Sequence, residues 1–172
     1  MQKPVTLVRP IVPAHLFIPA IGVNTTVTAA PSVYAYDEFL GRNVETFGAP
    51  PTSDMYTTTW WSANTNGDRE PRPGDPGMAI ILGHTQIGAY GVFNDLGNLH
   101  PNQQVAVSNR QTTLTFAVIA VKAGIPKSDA SALSRVLASH PAAARLALIT
   151  CSGHFNGRES EENTVAFLRL TG

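Results

Sequence analysis

Two short apolar runs constrain this chain more than any other feature. Gly77-Met78-Ala79-Ile80-Ile81-Leu82-Gly83 leads into His84, and Arg145-Leu146-Ala147-Leu148-Ile149-Thr150 leads into Cys151 and then Ser152-Gly153. Continuous apolar runs of about four to eight residues, bounded by turn formers, read as buried strands. A fold built around them delivers an imidazole and a thiol at strand ends, which are the parts nucleophilic cysteine catalysis requires. Cys151 is the only cysteine in 172 residues. A lone cysteine is commonly a small buried hydrophobe, but the matched strand ending in His84 favours a nucleophile here.

Composition narrows the rest. The length suits one domain, and an apolar fraction of 43% is enough for a single filled core. Charged residues are only 14% and the formal net charge is zero, which argues against nucleic acid, whose binding needs a basic patch. The same balance removes the electrostatic attraction to an anionic membrane surface. One cysteine permits no intramolecular disulfide, so stability comes from packing. No apolar run approaches the length of a membrane span, and Met1-Gln2-Lys3-Pro4 lacks the apolar core of a signal peptide. The chain as given is expected to be soluble, and it has the look of a trimmed version of something longer.

Along the chain, residues 1–13 carry Pro4, Pro10 and Pro13 and read as an extended arm, with residues 14–172 forming the catalytic domain. Strands are expected at 15–18 and 23–29, joined through Pro19-Ala20-Ile21-Gly22. Residues 30–73 are the least legible stretch, with possible strands at 44–47 and 56–61 and a loop at 64–74. Further strands are expected at 78–83, 104–107, 113–121, 146–150 and 164–170, with a helical turn or two at 92–99. One helix is expected over 129–138, with Leu133, Val136 and Leu137 on one face, Asp129 or Ser128 as its cap and Pro141 barring its continuation. Many short strands with one or two small helices make the fold mostly β, a barrel or sandwich.

The motifs spell a family. Pro73-Gly74-Asp75-Pro76-Gly77-Met78-Ala79-Ile80-Ile81-Leu82-Gly83-His84 resembles the Pro-Gly…Gly-His segment of sortases, the cysteine transpeptidases that anchor proteins to Gram-positive cell walls. Phe17-Ile18-Pro19-Ala20-Ile21-Gly22-Val23 resembles their first strand, and Val92-Phe93-Asn94-Asp95-Leu96-Gly97-Asn98-Leu99 the turn after the histidine. Leu148-Ile149-Thr150-Cys151 is similar to their Thr-Leu-x-Thr-Cys signature, with Ala147 in place of its first Thr. The order is right from about residue 10 onward, and the pattern is nearest to the actinobacterial classes E and F.

The resemblance implies an eight-stranded sortase-type β-barrel with one or two short helices. It also implies cleavage of a Leu-Pro-x-Thr-Gly-like sorting motif between Thr and Gly through a thioester on Cys151, with His84 handling the proton. The family's third residue is an arginine near the start of the last strand, but here Glu161 or Glu162 falls where it is expected. Arg158 is the nearest replacement, and the amide of Asn163 is the fallback donor to an oxyanion. Thr150 and Thr85 are candidate substrate contacts. Trp60-Trp61 reads mainly as core packing.

No metal or organic cofactor is implied. His154 makes a Cys-x-x-His fragment with Cys151 but has no companions for zinc. The implied partners are secreted proteins with a C-terminal sorting motif and an amine acceptor on a wall precursor or pilin. A monomer is expected at the outer face of the membrane or in the wall, normally tethered by a segment absent from this chain. Two rivals are a degenerate relative that binds sorting peptides without turnover and a plain cysteine peptidase.

Overall fold

The computed structural model describes residues 8–157 and 160–172. Among the described residues ten strands form, and eight of them close into a barrel: β1 (His15–Ile18), β2 (Val23–Ala30), β5 (Thr58–Trp61), β6 (Ala79–Gly83), β9 (Ala144–Phe155), β10 (Ser160–Leu170), β8 (Thr113–Pro126) and β7 (Gln104–Ser108), in that order around the circuit. The mostly β, eight-stranded barrel implied by the resemblance is what the chain adopts. β3 (Val33–Asp37) and β4 (Arg42–Thr46) form a separate two-stranded hairpin. One helix, α1 (Ala132–Ala138), and 3-10 turns at Pro19–Ile21 and Leu96–Asn98 complete the fold.

Alternation along the strands sorts side chains to two sides of the sheet. Leu16, Ile18, Val23, Trp60, Ile81, Phe116, Leu146, Leu148, Ala166 and Leu168 fill the barrel interior. Their neighbours in sequence, Ile80, Leu82, Ala147, Ile149, Val165 and Phe167, point outward into a second cluster. Leu133, Val136 and Leu137 of α1, with Phe47 and Trp61, cover that outer cluster. The apolar face expected for the helix is therefore the face it buries, although the helix is shorter than expected and its N-cap position is Ser131 rather than Asp129 or Ser128. Asp129 instead accepts from Ser131 N–H and Arg135, organising the turn before the helix.

Three strands run past their expected ends. β8 continues to Pro126, β9 to Phe155, and β10 starts at Ser160. The extensions hydrogen-bond to one another rather than to the core, so their polar residues carry no burial pattern to read. As a result Cys151 lies within β9, not at its end. Residues 8–13 have no regular structure, but Ile11 is buried in the barrel core and its N–H donates to Pro73 O at 2.9 Å.

Candidate active site

β6 and β9 are parallel neighbours, with Leu82 beside Ile149. His84 follows Leu82 by two residues and Cys151 follows Ile149 by two, so the register carries both to the same end of the barrel and toward its outer side. Gly83 lets β6 turn off there. A Cβ at this position would lie 2.6 Å from the Phe93 ring and 2.8 Å from Val92, so only glycine admits the 92–93 turn that packs beneath the histidine. Phe93 N–H closes this corner by donating to His84 O at 3.0 Å.

His84 Nε2 meets Pro50 O at 2.5 Å. A carbonyl only accepts, so the contact places the hydrogen on Nε2 and leaves Nδ1 as the ring nitrogen able to accept a proton. The Pro50 segment is held by the turn that follows it. Asp54 N–H donates to Pro51 O at 2.9 Å, and the Asp54 carboxylate accepts from the Thr57 hydroxyl at 2.6 Å and from the N–H groups of Tyr56 and Thr57. The Thr57 hydroxyl, then the Tyr56 N–H, hold the Asp54 carboxyl below its ordinary value, and the nearby His84 charge adds in the same direction.

Cys151 is half-buried and lines a groove of about 1010 Å³ between the barrel's outer side and the β3–β4 hairpin. Leu82, Phe47, Ala49, Trp61 and Asn163 share that lining. Phe47 and Trp61 meet edge to face with centroids 4.7 Å apart, and Trp61 Nε1 donates to Ser32 Oγ at 2.7 Å. Trp60 is core, as expected, whereas Trp61 serves the groove. Ala49 lines the groove and its neighbour Pro50 holds His84, which ties the histidine to the same cleft.

Opposite Cys151 in the β9–β10 ladder stands Asn163, with Glu162 opposite Ser152. Asn163, the fallback donor, is thus the β10 residue across from the thiol, one step along from Glu162. Glu162 is turned toward Gly153, where a Cβ would come within 2.6 Å of its Oε2. Arg158 lies outside the described residues. Thr85 and Thr150 are brought together, their hydroxyls 2.6 Å apart, with Thr150 buried. Thr85 also donates to Phe93 O at 3.3 Å, so this pair ties the segment after β6 to the middle of β9. His154 is exposed, and among the described residues no group of three His, Cys, Asp or Glu is placed to hold a metal ion.

Sequence reasoning missed Lys127. It stands just past β8 in an Ile125-Pro126-Lys127-Ser128 segment that carries no motif. Its Nζ nonetheless donates to Cys151 Sγ at 3.2 Å, and it lines the same groove. Only the pairing of β8 with β10, which puts Pro126 beside Glu162, brings together residues 24 positions apart.

The comparisons agree with this architecture. Sortase A from Corynebacterium diphtheriae, in a lid mutant, superposes with a TM-score of 0.61 at 15% identity, over 95% of this chain and 72% of that one. Sortase C2 of pilus island 1 from group B Streptococcus gives 0.59 at 16%, over 92% and 73%. The Clostridium perfringens sortase D5 transpeptidase gives 0.59 at 15%, over 96% and 82%. No curated protein matches the sequence. At such identities the structural likeness speaks for the fold alone. The family model for the sortase domain, however, matches residues 16–171, from β1 to the last strand, and the chain belongs to the sortase family.

Proposed function

We propose that this chain is a cysteine transpeptidase that cuts a Leu-Pro-x-Thr-Gly-like sorting motif between Thr and Gly and passes the acyl part to an amine. The observation that carries this reading is Cys151 on the wall of a groove, on the strand beside the one that delivers His84, in a barrel of the sortase family. The apolar wall of Leu82, Phe47 and Trp61 in the groove suits the Leu and Pro side chains of such a motif.

In the first half-reaction the Cys151 thiolate attacks the Thr carbonyl carbon, forming the C–S bond and an oxyanion. The oxyanion collapses, the C–N bond breaks, and the leaving glycine amine takes a proton from His84. In the second half, an incoming amine attacks the thioester carbonyl and gives a proton to His84. The C–S bond breaks and the thiolate returns. Asn163, across the ladder from Cys151, is the nearest β10 side chain to donate to the oxyanion. We further propose that the enzyme works at the cell surface on exported proteins, with a wall precursor or pilin amine as acceptor, as its family membership suggests.

An amide rather than an arginine across the ladder from Cys151 also favours a second reading, a domain that binds sorting peptides without turnover. Intact-mass analysis separates the two. Wild type and Cys151→Ala are incubated with a panel of Leu-Pro-x-Thr-Gly-like peptides, with and without triglycine. A Cys151-dependent thioester, or a ligated product that requires the amine, is expected. Uncut peptides across the panel, together with measurable binding, would establish the second reading instead.

A further inference from the structure

The family reading needs a positive charge near the thiol, and the described part of β10 supplies none at the position opposite Cys151. We infer that Lys127, arriving from the opposite edge of β10, is the catalytic cation of this site, with Asn163 as its neutral companion. The inference rests on the proposed transpeptidase for its role in turnover, and on geometry alone for its contact with the sulfur.

The ammonium donates directly to the reacting atom, 3.2 Å from Nζ to Sγ. An ammonium beside a thiol favours the anionic, nucleophilic sulfur. Its three donors rotate about a single axis. When sulfur attacks, negative charge moves to the carbonyl oxygen, two bonds away, and one donor can follow it while the others keep their contacts. A planar guanidinium would instead grip the substrate in two fixed directions. A lysine just past β8 and an amide on β10, in place of one arginine on β10, thus divide charge and direction between two residues.

Lys127 is held for this task by its backbone, whose N–H donates to Glu161 O at 2.9 Å. This bond continues the β8–β10 ladder one residue past the strand and fixes where the side chain starts. Two acidic groups nearby are engaged elsewhere. Asp129, which lines the same groove, is engaged by Arg135 at 2.6 Å, and Glu162 lies against Gly153 beside Ser152 rather than Cys151.

Alkylation of Cys151 by iodoacetamide tests the contact without any peptide. Second-order rates at pH 7 are measured for wild type, Lys127→Met, Lys127→Gln and Lys127→Arg, each checked for a native thermal transition. Both neutral variants are expected to slow by roughly five-fold or more, while the arginine variant stays within about three-fold of wild type. Having two neutral variants keeps the test decisive if one fails to fold. Neutral variants within about two-fold of wild type, or an arginine variant as slow as methionine, would overturn the inference.

Acyl-enzyme formation by intact mass then reads the oxyanion role. A loss of about 10²-fold in Lys127→Met beyond its alkylation defect is expected, and a loss no greater than the alkylation defect would remove that role. If wild type alkylates in a Lys127-dependent way but forms no acyl-enzyme with any peptide, the transpeptidase reading fails while the cation–thiol contact stands.

Discussion

The inner and outer faces of β6, β9 and β10 differ in what they can tolerate. On the inner face Ile81, Leu148 and Ala166 stand side by side across the three strands, each fully buried. On the outer face the row Leu82, Ile149 and Val165 is equally in register and nearly as buried. Two residues further along, that outer row becomes His84, Cys151 and Asn163. The inner row is answered entirely by neighbouring apolar atoms. The outer row passes from core to chemistry within one strand repeat, because α1, Phe47 and Trp61 cover only its first part. Stability and reactivity are thus separated by the two-residue period of the strands rather than by distance along the chain.

The largest effect that would break this separation is Cys151→Ala. Acyl-enzyme formation is expected to vanish while the thermal midpoint stays close to that of wild type, since the side chain is only half-buried. A midpoint that fell markedly would place Cys151 with the core. His84→Ala comes next, with an expected loss of about 10²- to 10⁴-fold in kcat/KM and a near-native fold. Turnover that survives His84→Ala would move the proton to another group.

The inner row gives the mirror-image result. Leu148→Ala should cost about 2–5 kcal/mol in chemical denaturation, from lost burial and the cavity left behind, while leaving alkylation of Cys151 in the folded protein unchanged. A matching fall in alkylation would show that the two faces are coupled.

The clamp between the faces is subtler. Thr150→Val strips a partner from Thr85 and should cost about 1–2 kcal/mol. Thr85→Val with Thr150→Val should cost less than the two single changes added together, because the double variant removes both members of the pair. Strict additivity would mean that the 2.6 Å contact contributes nothing to holding β6 against β9.

The same contrast explains what could be read from the residues. Strands whose apolar side chains fill the barrel, such as Ala79–Gly83 and Val23–Ala30, were legible because burial writes a pattern. β3 was not, since Tyr34 and Tyr36 are exposed and the hairpin buries little. His84 and Cys151 were visible because each follows such a run. The polar extension of β9 past Cys151 has no such pattern, so the thiol looked like a strand end. Lys127 left no local trace at all: its place beside the sulfur depends on the register of β8 against β10, a long-range property that no window of sequence contains.

The smallest predicted effect concerns how the outer face is held from outside the barrel. Pro50 O fixes the His84 ring, and the turn behind it depends on an ionised Asp54 accepting from Thr57 and Tyr56. Because these donors lower the Asp54 value, the turn's contribution is fully present above the ordinary Asp value of 3.8. It is lost only as pH falls through the lower, folded-state value. Asp54→Ala should therefore speed hydrogen exchange at the Tyr56 and Thr57 amides near neutral pH and remove the acid dependence of that exchange that wild type shows below about pH 4. Turnover should fall only a few-fold, since the imidazole stays on its strand and loses precision rather than its place. If Asp54→Ala were as damaging as His84→Ala, the loop and not β6 would be what positions the histidine, and the outer face would owe its geometry to the hairpin side of the groove.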